Sequence, residues 1–141
     1  MALGFGRDRR IRRRADFVRI QTHGERANAP HFVLLVSARE GGGASRLGVV
    51  VTKKVGNSVA RSRVKRLCRE CFRTWPGFVP DAVDLVVIAR PGADELGLAD
   101  VRGEWERARG KLLVRCAAVL AKLEKAGAPV AAASSSARKP T

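Results

Sequence analysis

Between Lys53 and Arg73 the chain reads KKVGNSVARSRVKRLCRECFR, eight basic residues with a single acid, Glu70. Guanidinium and ammonium groups in such density do the chemistry of phosphate: they neutralise oxyanions and donate charge-assisted hydrogen bonds to them. Placed on a helix at about 100° per residue, Ala60, Val64, Leu67, Cys68, Cys71, Phe72 and Trp75 gather on one side. Arg61, Ser62, Arg63, Lys65, Arg66, Arg69 and Arg73 fan over the other, with Val59 the one apolar intruder. Ordinary solvated helices interleave acids and bases, because like charges at i,i+4 cost a few tenths of a kcal/mol per pair. Arg61, Lys65, Arg69 and Arg73 form an i,i+4 row of one sign, which calls for an anionic partner along it.

Cys68 and Cys71 make a CxxC string, the spacing of redox and zinc sites. Both fall on the apolar side of the helix, well past the first turn where a dipole would activate a thiol. The chain has only two histidines, His23 and His31, to complete a zinc site. Buried thiols acting as small hydrophobes are the better reading. Cys116, in a later apolar stripe, reads the same way. With no paired carboxylates, no serine or cysteine triad and no metal cluster in the pattern, a self-sufficient nuclease is hard to assemble.

The 141 residues carry a net charge of +15, which suits a polyanion, most readily a nucleic acid. No apolar run reaches the roughly 18 residues that span a bilayer, and no apolar stretch follows the basic N-terminus as in a secretory signal. Cytoplasmic residence is the expectation. Arg7 to Arg14 hold six arginines, read as part of a flexible basic arm over residues 1–13. A folded domain is expected over 14–126. From 127 onward, small residues that cannot bury enough surface predict a disordered tail.

Within that domain, Arg14–Thr22 reads as a short helix ended by Gly24. His31–Ala38 and Leu47–Thr52 read as strands, with a shorter one at Arg26–Ala29. The glycine-rich EGGGAS connection predicts antiparallel pairing of the two longer strands across a hairpin. Gly56 supplies a bend, and Asn57 or Ser58 a cap, for the basic helix. Val83–Ala89 is a third strong strand. Apolar residues from Leu98 through Trp105, Leu112, Cys116 and Val119 to Leu123 recur at spacings of three and four, marking a long amphipathic helix. Trp105 on that stripe reads as core. Such an order gives an α+β or α/β sandwich with helices largely on one face of a sheet.

At this point the sequence resembles the protein subunit of bacterial ribonuclease P, which acts with an RNA to trim 5′ leaders from precursor tRNAs. The likeness is carried by LGVVVTKKVGNSVARSRVKRLCRECFR, a strand, a lysine turn and an Arg-x-Arg helix. RIRRRADFVRI, HFVLLV and VDLVVIARP stand around it in family-like order. The resemblance implies an α+β, αβββαβα two-layer sandwich similar to ribosomal S5 domain 2, with a left-handed βαβ crossover. General rules favour the right-handed form. It implies a ribonucleoprotein endonuclease (a hydrolase) of tRNA processing, whose catalyst is the RNA subunit with bound Mg²⁺. The partners it implies are that RNA and precursor tRNA, with neither membrane nor DNA.

Carried over by residue, the resemblance puts RNA binding on Lys53, Lys54, Asn57, Arg61, Ser62, Arg63, Lys65, Arg66 and Arg69. It places Arg13, Phe17 and Phe32 in a cleft for the single-stranded leader, where stacking on rings tolerates any base. Ser62 stands where the family has Asn, keeping a hydroxyl but losing the amide. Two further cleft positions, often aromatic, are Gln21 and Leu35 here, so leader binding should lean more on charge. Another kind of RNA binder, such as a ribosomal protein, shares the composition but not the turn-plus-helix motif behind a strand. A helix-turn-helix reader needs two short helices tightly joined, and here strands flank the basic helix. A membrane-surface module ranks below both, since the helix needs its apolar face for the core.

Overall fold

A computed structural model describes residues 9–39 and 41–125; the first eight residues of the expected arm and the expected tail lie outside them. The elements run α1 (Arg14–His23), β1 (Glu25–Asn28), β2 (Phe32–Ala38), β3 (Arg46–Val50), α2 (Ser58–Arg73), β4 (Val83–Ala89), a 3₁₀ turn (Ala93–Glu95) and α3 (Leu98–Lys125). This is the αβββαβα order of an α+β protein.

The four strands form one mixed sheet in the order β1-β2-β4-β3. β2 lies antiparallel to both β1 and β4, and β3 runs parallel to β4. The expected β2–β3 hairpin is therefore corrected: β4 is inserted between the two. Val83–Ala89 is apolar towards both faces, so it is most favourable in the interior of the sheet. The connection from Arg39 to Ser45 is long enough to bridge the two strand spacings, roughly 10 Å, that the insertion demands. It wraps around the start of β4, where Arg39 N–H donates to Ala82 C=O and Ala82 N–H to Gly43 C=O, each at 2.7 Å.

α2 and α3 cover one face of the sheet. Their contribution is Val64, Cys68, Cys71 and Phe72 from α2 and Val101, Trp105, Leu112, Cys116 and Val119 from α3, over Phe32, Leu34, Val36, Leu85 and Val87. Trp105 is fully buried, edge-on to Phe32 at 6.5 Å and tilted against Phe78 at 5.1 Å. α1 covers part of the other face, with Ile20 and Ile11 over Val33, Leu35 and Val86.

Residues 9–11 are not a free arm. Arg10 bridges to Leu47 alongside β3, Ile11 N–H donates to Leu47 C=O at 2.9 Å, and Ile11 is buried. The lone isoleucine among the arginines gains by burial, and that draws the segment onto the edge of the sheet.

Candidate nucleic-acid interface

The Lys53–Asn57 turn leads β3 into α2. Lys53, Lys54 and Asn57 are all exposed. Asn57 caps the helix, its Oδ1 accepting from Ala60 N–H at 2.9 Å. That satisfies one of the orphan donors of the first turn and fixes the direction in which α2 leaves the sheet. With Val64, Cys68, Cys71 and Phe72 buried, the opposite side of α2 must face solvent.

The crest of that side is Val59, Ser62, Arg63 and Arg66, all exposed. Arg61, Lys65, Arg69 and Arg73 lie lower and are half-buried. The row of like charges is relieved partly within the protein. Arg73 is paired with Glu70 through Nε at 3.2 Å and through Nη2 at 2.5 Å, and the carboxyl of Glu70 is held below its usual range chiefly by that hydrogen bond. Arg61 donates to Gly56 C=O at 2.9 Å. Arg63 donates through Nε to Asp94 C=O at 3.1 Å and through Nη2 to Leu96 C=O at 2.6 Å, tying α2 to the 3₁₀ turn.

Sequence reasoning did not anticipate Arg10 at this surface. With Ser62, Arg66, Arg69, Glu70 and Arg73 it lines a cavity of about 460 Å³. The Arg69 guanidinium is pushed below its ordinary pKa, first by burial and then by the charge of Arg10. Six arginines within eight positions carry no register that would tell which one reaches α2; only the burial of Ile11 sets it.

A second surface lies on the α1 face of the sheet. Strand register puts Asn28, Val33, Ile88 and Val50 in one cross-strand row, next to the row of Arg26, Leu35, Val86 and Gly48. α1 sits over the latter, and Val50 and Ile88 stay only partly buried. Phe17 forms the wall: with Arg14, Val18, Gln21 and Thr22 it lines a groove of about 340 Å³ on one flank of α1. Arg26 and Arg90 are exposed at the β1 side, Arg90 donating to Asn28 Oδ1 at 3.3 Å. Neither was picked out in the sequence, although the alternation of Glu25–Asn28 is the signal that would place Arg26 here. Val50, in the open row beside α1, precedes Lys53 by three residues, so that row of the sheet leads into the Lys53–Asn57 turn.

The family model described as Ribonuclease P matches residues 5–113. The chain belongs to this family. It is 40% identical over 92 residues to the ribonuclease P protein component of Brevibacillus brevis, covering 65% of this chain and 73% of that one. Among solved structures it is similar to the Staphylococcus aureus ribonuclease P protein, with a TM-score of 0.68 and 32% identity over 76% of this chain and 97% of the other. The Thermotoga maritima ribonuclease P protein gives a TM-score of 0.63 and 35% identity over 74% and 94%.

Measured against the ribonuclease P pattern, the residues expected to bind RNA come together on α2 and its turn. The three expected in the leader cleft do not. Phe32 is fully buried on the opposite face of the sheet, against Trp105, because the pleat that points Val33 to the α1 side points Phe32 away from it. Arg13 lines a cavity on the flank of α1 remote from Phe17; its neighbour Arg14 is the one beside Phe17. Leu35 lies under α1, only 2% exposed, and so is core, whereas Gln21 does line the groove.

The three cysteines are buried as expected. Burial pushes the Cys71 thiol up to about 12 and that of Cys116 to about 11, and raises Cys68 as well. None is a nucleophile at neutral pH.

Proposed function

We propose that the crest of α2 and the Lys53–Asn57 turn bind the RNA subunit of ribonuclease P, and that the groove beside Phe17 holds the 5′ leader of precursor tRNA. The observation that carries this reading is a neighbourhood: the groove beside Phe17 lies on the sheet face whose partly buried row of Val50 and Ile88 leads, through the Lys53 turn, into a one-sided cationic helix. Phosphates of a structured RNA seat along Arg66, Lys65, Arg69 and Arg10 by charge. A single strand lies in the groove, its bases against Phe17, Val50 and Ile88 and its phosphates near Arg14, Arg90 and Lys54. Contacts of these kinds ignore base identity, as a protein acting on many leaders requires.

The protein's share of the endonucleolytic step is then positioning and charge. It brings leader and RNA subunit into one frame and lowers their mutual repulsion. Mg²⁺ takes oxygen ligands, carboxylates above all. A crest of guanidinium and ammonium groups with one serine hydroxyl does not fit as its first shell, and among the described residues no three His, Cys, Asp or Glu side chains cluster to hold a metal. In this reading the ion is held by the RNA subunit. Ser62 replaces an amide by a hydroxyl, which can donate one hydrogen bond to a phosphate oxygen. RNA rather than DNA is the partner, in the cytoplasm; no described helix is long and apolar enough to cross a membrane.

The test is rescue of the RNA subunit at low Mg²⁺ by a variant with Lys65, Arg66 and Arg69 changed to Glu. Among the described residues none of these three donates a hydrogen bond, unlike Arg61 and Arg63. Rescue should vanish while the circular dichroism spectrum stays native. Full rescue with a native spectrum would show the crest to be idle.

A further inference from the structure

The flank of α1 facing away from Phe17 carries a second cationic basin. Arg13, Asp16, Arg19, Arg39 and Arg46 line a cavity of about 260 Å³ drawn from three parts of the chain: α1 with its cap, the β2–β3 connection and β3. Two of its arginines are fixed by the buried Asp84. Arg46 grips that carboxylate with both Nε and Nη2, at 2.9 and 2.7 Å, and Arg19 reaches it at 3.2 Å. Arg19 also donates to Ser37 Oγ at 3.1 Å and to Ala38 C=O at 3.3 Å. Asp16 is 3.4 Å from Arg19 and 3.8 Å from Arg46.

Two carboxylates thus answer two guanidiniums. Arg13 and Arg39 are left, and among the described residues neither is paired with an acid. Arg39 is steadied by Ala44 C=O. A surplus of two positive charges stands in a concave site whose other cations cannot swing away. Such a preorganised site loses little side-chain entropy on taking an anion. Arg12, Arg13 and Arg14 are exposed in succession at the start of α1. They connect the Phe17 groove to the basin around the end of a helix only about 10 Å across.

We propose that the basin is a second phosphate site for single-stranded RNA, taking the part of a leader that runs beyond the Phe17 groove. The strand leaves the groove past Arg14, rounds the start of α1, and places two phosphates against Arg13 and Arg39. This rests on the leader-groove reading and extends it: the chain would sense leader length, not merely leader presence.

The test uses the reconstituted holoenzyme and two precursor tRNAs, one with a leader that ends inside the Phe17 groove and one with a leader that continues past α1. Affinity is measured against salt concentration for the wild-type protein, for Arg13→Gln/Arg39→Gln and for Phe17→Ala. With the wild type the long leader should bind more tightly. The double variant should erase that gain and leave the short leader unchanged. Its slope of log affinity against log salt on the long leader should be shallower by about 1.4, or 0.7 for each of two phosphates. Unchanged binding of both leaders overturns the proposal, as does equal loss on both. Loss confined to affinity for the RNA subunit overturns the leader as occupant. If Phe17→Ala spares the short leader, the groove reading fails instead, whatever the double variant does. Should the double variant unfold at lower urea than the wild type, Arg13→Gln alone carries the test with half the slope change.

Discussion

Gly48 lies directly beneath the ring of Phe17: a Cβ at Gly48 would stand 2.6 Å from Phe17 Cε1 and 2.7 Å from Cζ. The absence of a side chain on β3 is therefore what lets α1 settle onto the sheet with its aromatic wall beside the open floor. Gly48→Ala should force the ring out, costing about 1–3 kcal/mol as overpacking. Urea unfolding measures that cost, and affinity for precursor tRNA should fall in parallel. Combining Gly48→Ala with Phe17→Ala should restore stability to near that of Phe17→Ala alone, because the clash then has no second party.

Phe17 and Phe32 separate the two roles that one residue type can play. Phe32→Ala removes a fully buried ring next to Trp105 and should cost about 3–5 kcal/mol in urea unfolding. Phe17→Ala, at a half-buried position, should cost less and should weaken binding of precursor tRNA more than of mature tRNA. Equal weakening of both tRNAs would mean that Phe17 acts only as a packing residue.

This pair also shows where the sequence is legible and where it stops. The boundaries of α2 and β4 follow from amphipathic spacing and a short apolar run, because each is decided within its own window of residues. The cationic crest follows from the same periodicity. The β2–β3 pairing fails because the strand that displaces the hairpin lies more than thirty residues downstream. Nothing local in HFVLLV or LGVVV reports β4. The side of the sheet that Phe32 takes was hidden for a related reason. An apolar strand buried on both faces gives no alternation to say which side Phe32 takes, so only the register with β4 places it. Arg10 and Arg46 were equally hidden, since their partners are remote in sequence, and so was the reach of Arg19 to Asp84. The one local hint was Asp84, a lone acid in an otherwise apolar strand.

Asp84 has a fully buried side chain and holds both Arg19 and Arg46. Asp84→Ala leaves Arg46, whose side chain is only 18% exposed, without its closest counter-charge. Removing one partner of such a pair typically costs about 3–5 kcal/mol. The expected outcome is a large drop in the urea midpoint, with α1 the first element to lose amide-exchange protection. Exchange that stays uniform across α1 and the sheet would mean the network does not anchor the helix.

Arg63 and Arg66, three residues apart on the crest of α2, should answer differently to loss of charge. Arg63→Gln gives up two hydrogen bonds to the carbonyls of Asp94 and Leu96, each worth about 0.5–1.5 kcal/mol. Its stability should fall measurably. Arg66 donates no hydrogen bond among the described residues, so Arg66→Gln should unfold as the wild type does. Its effect should appear in binding: affinity for the RNA subunit drops, and the slope against log salt becomes shallower by about 0.7–0.9. A loss of stability in Arg66→Gln would place that side chain in the fold instead of on the RNA.

The buried thiols predict how the protein responds to alkali. Cys71 and Cys116 titrate near 12 and 11 in the folded chain because burial disfavours the thiolate, whereas an unfolded cysteine titrates near 8.5. A folded pKa above the unfolded one means that the unfolded chain gains by deprotonating first. The stability tied to these thiols is fully present below about pH 8.5 and is lost as the pH climbs through 11 to 12. The urea midpoint should accordingly hold steady to about pH 8.5 and then decline. Cys71→Ala should be less stable at neutral pH, from the cavity it leaves, yet decline less steeply above pH 9. In the same frame, a disulfide-exchange reagent at pH 8 should leave all three thiols untouched until urea unfolds the chain. Rapid native-state labelling of either Cys68 or Cys71 would contradict their burial under α2 and reopen the CxxC pair as a reactive site.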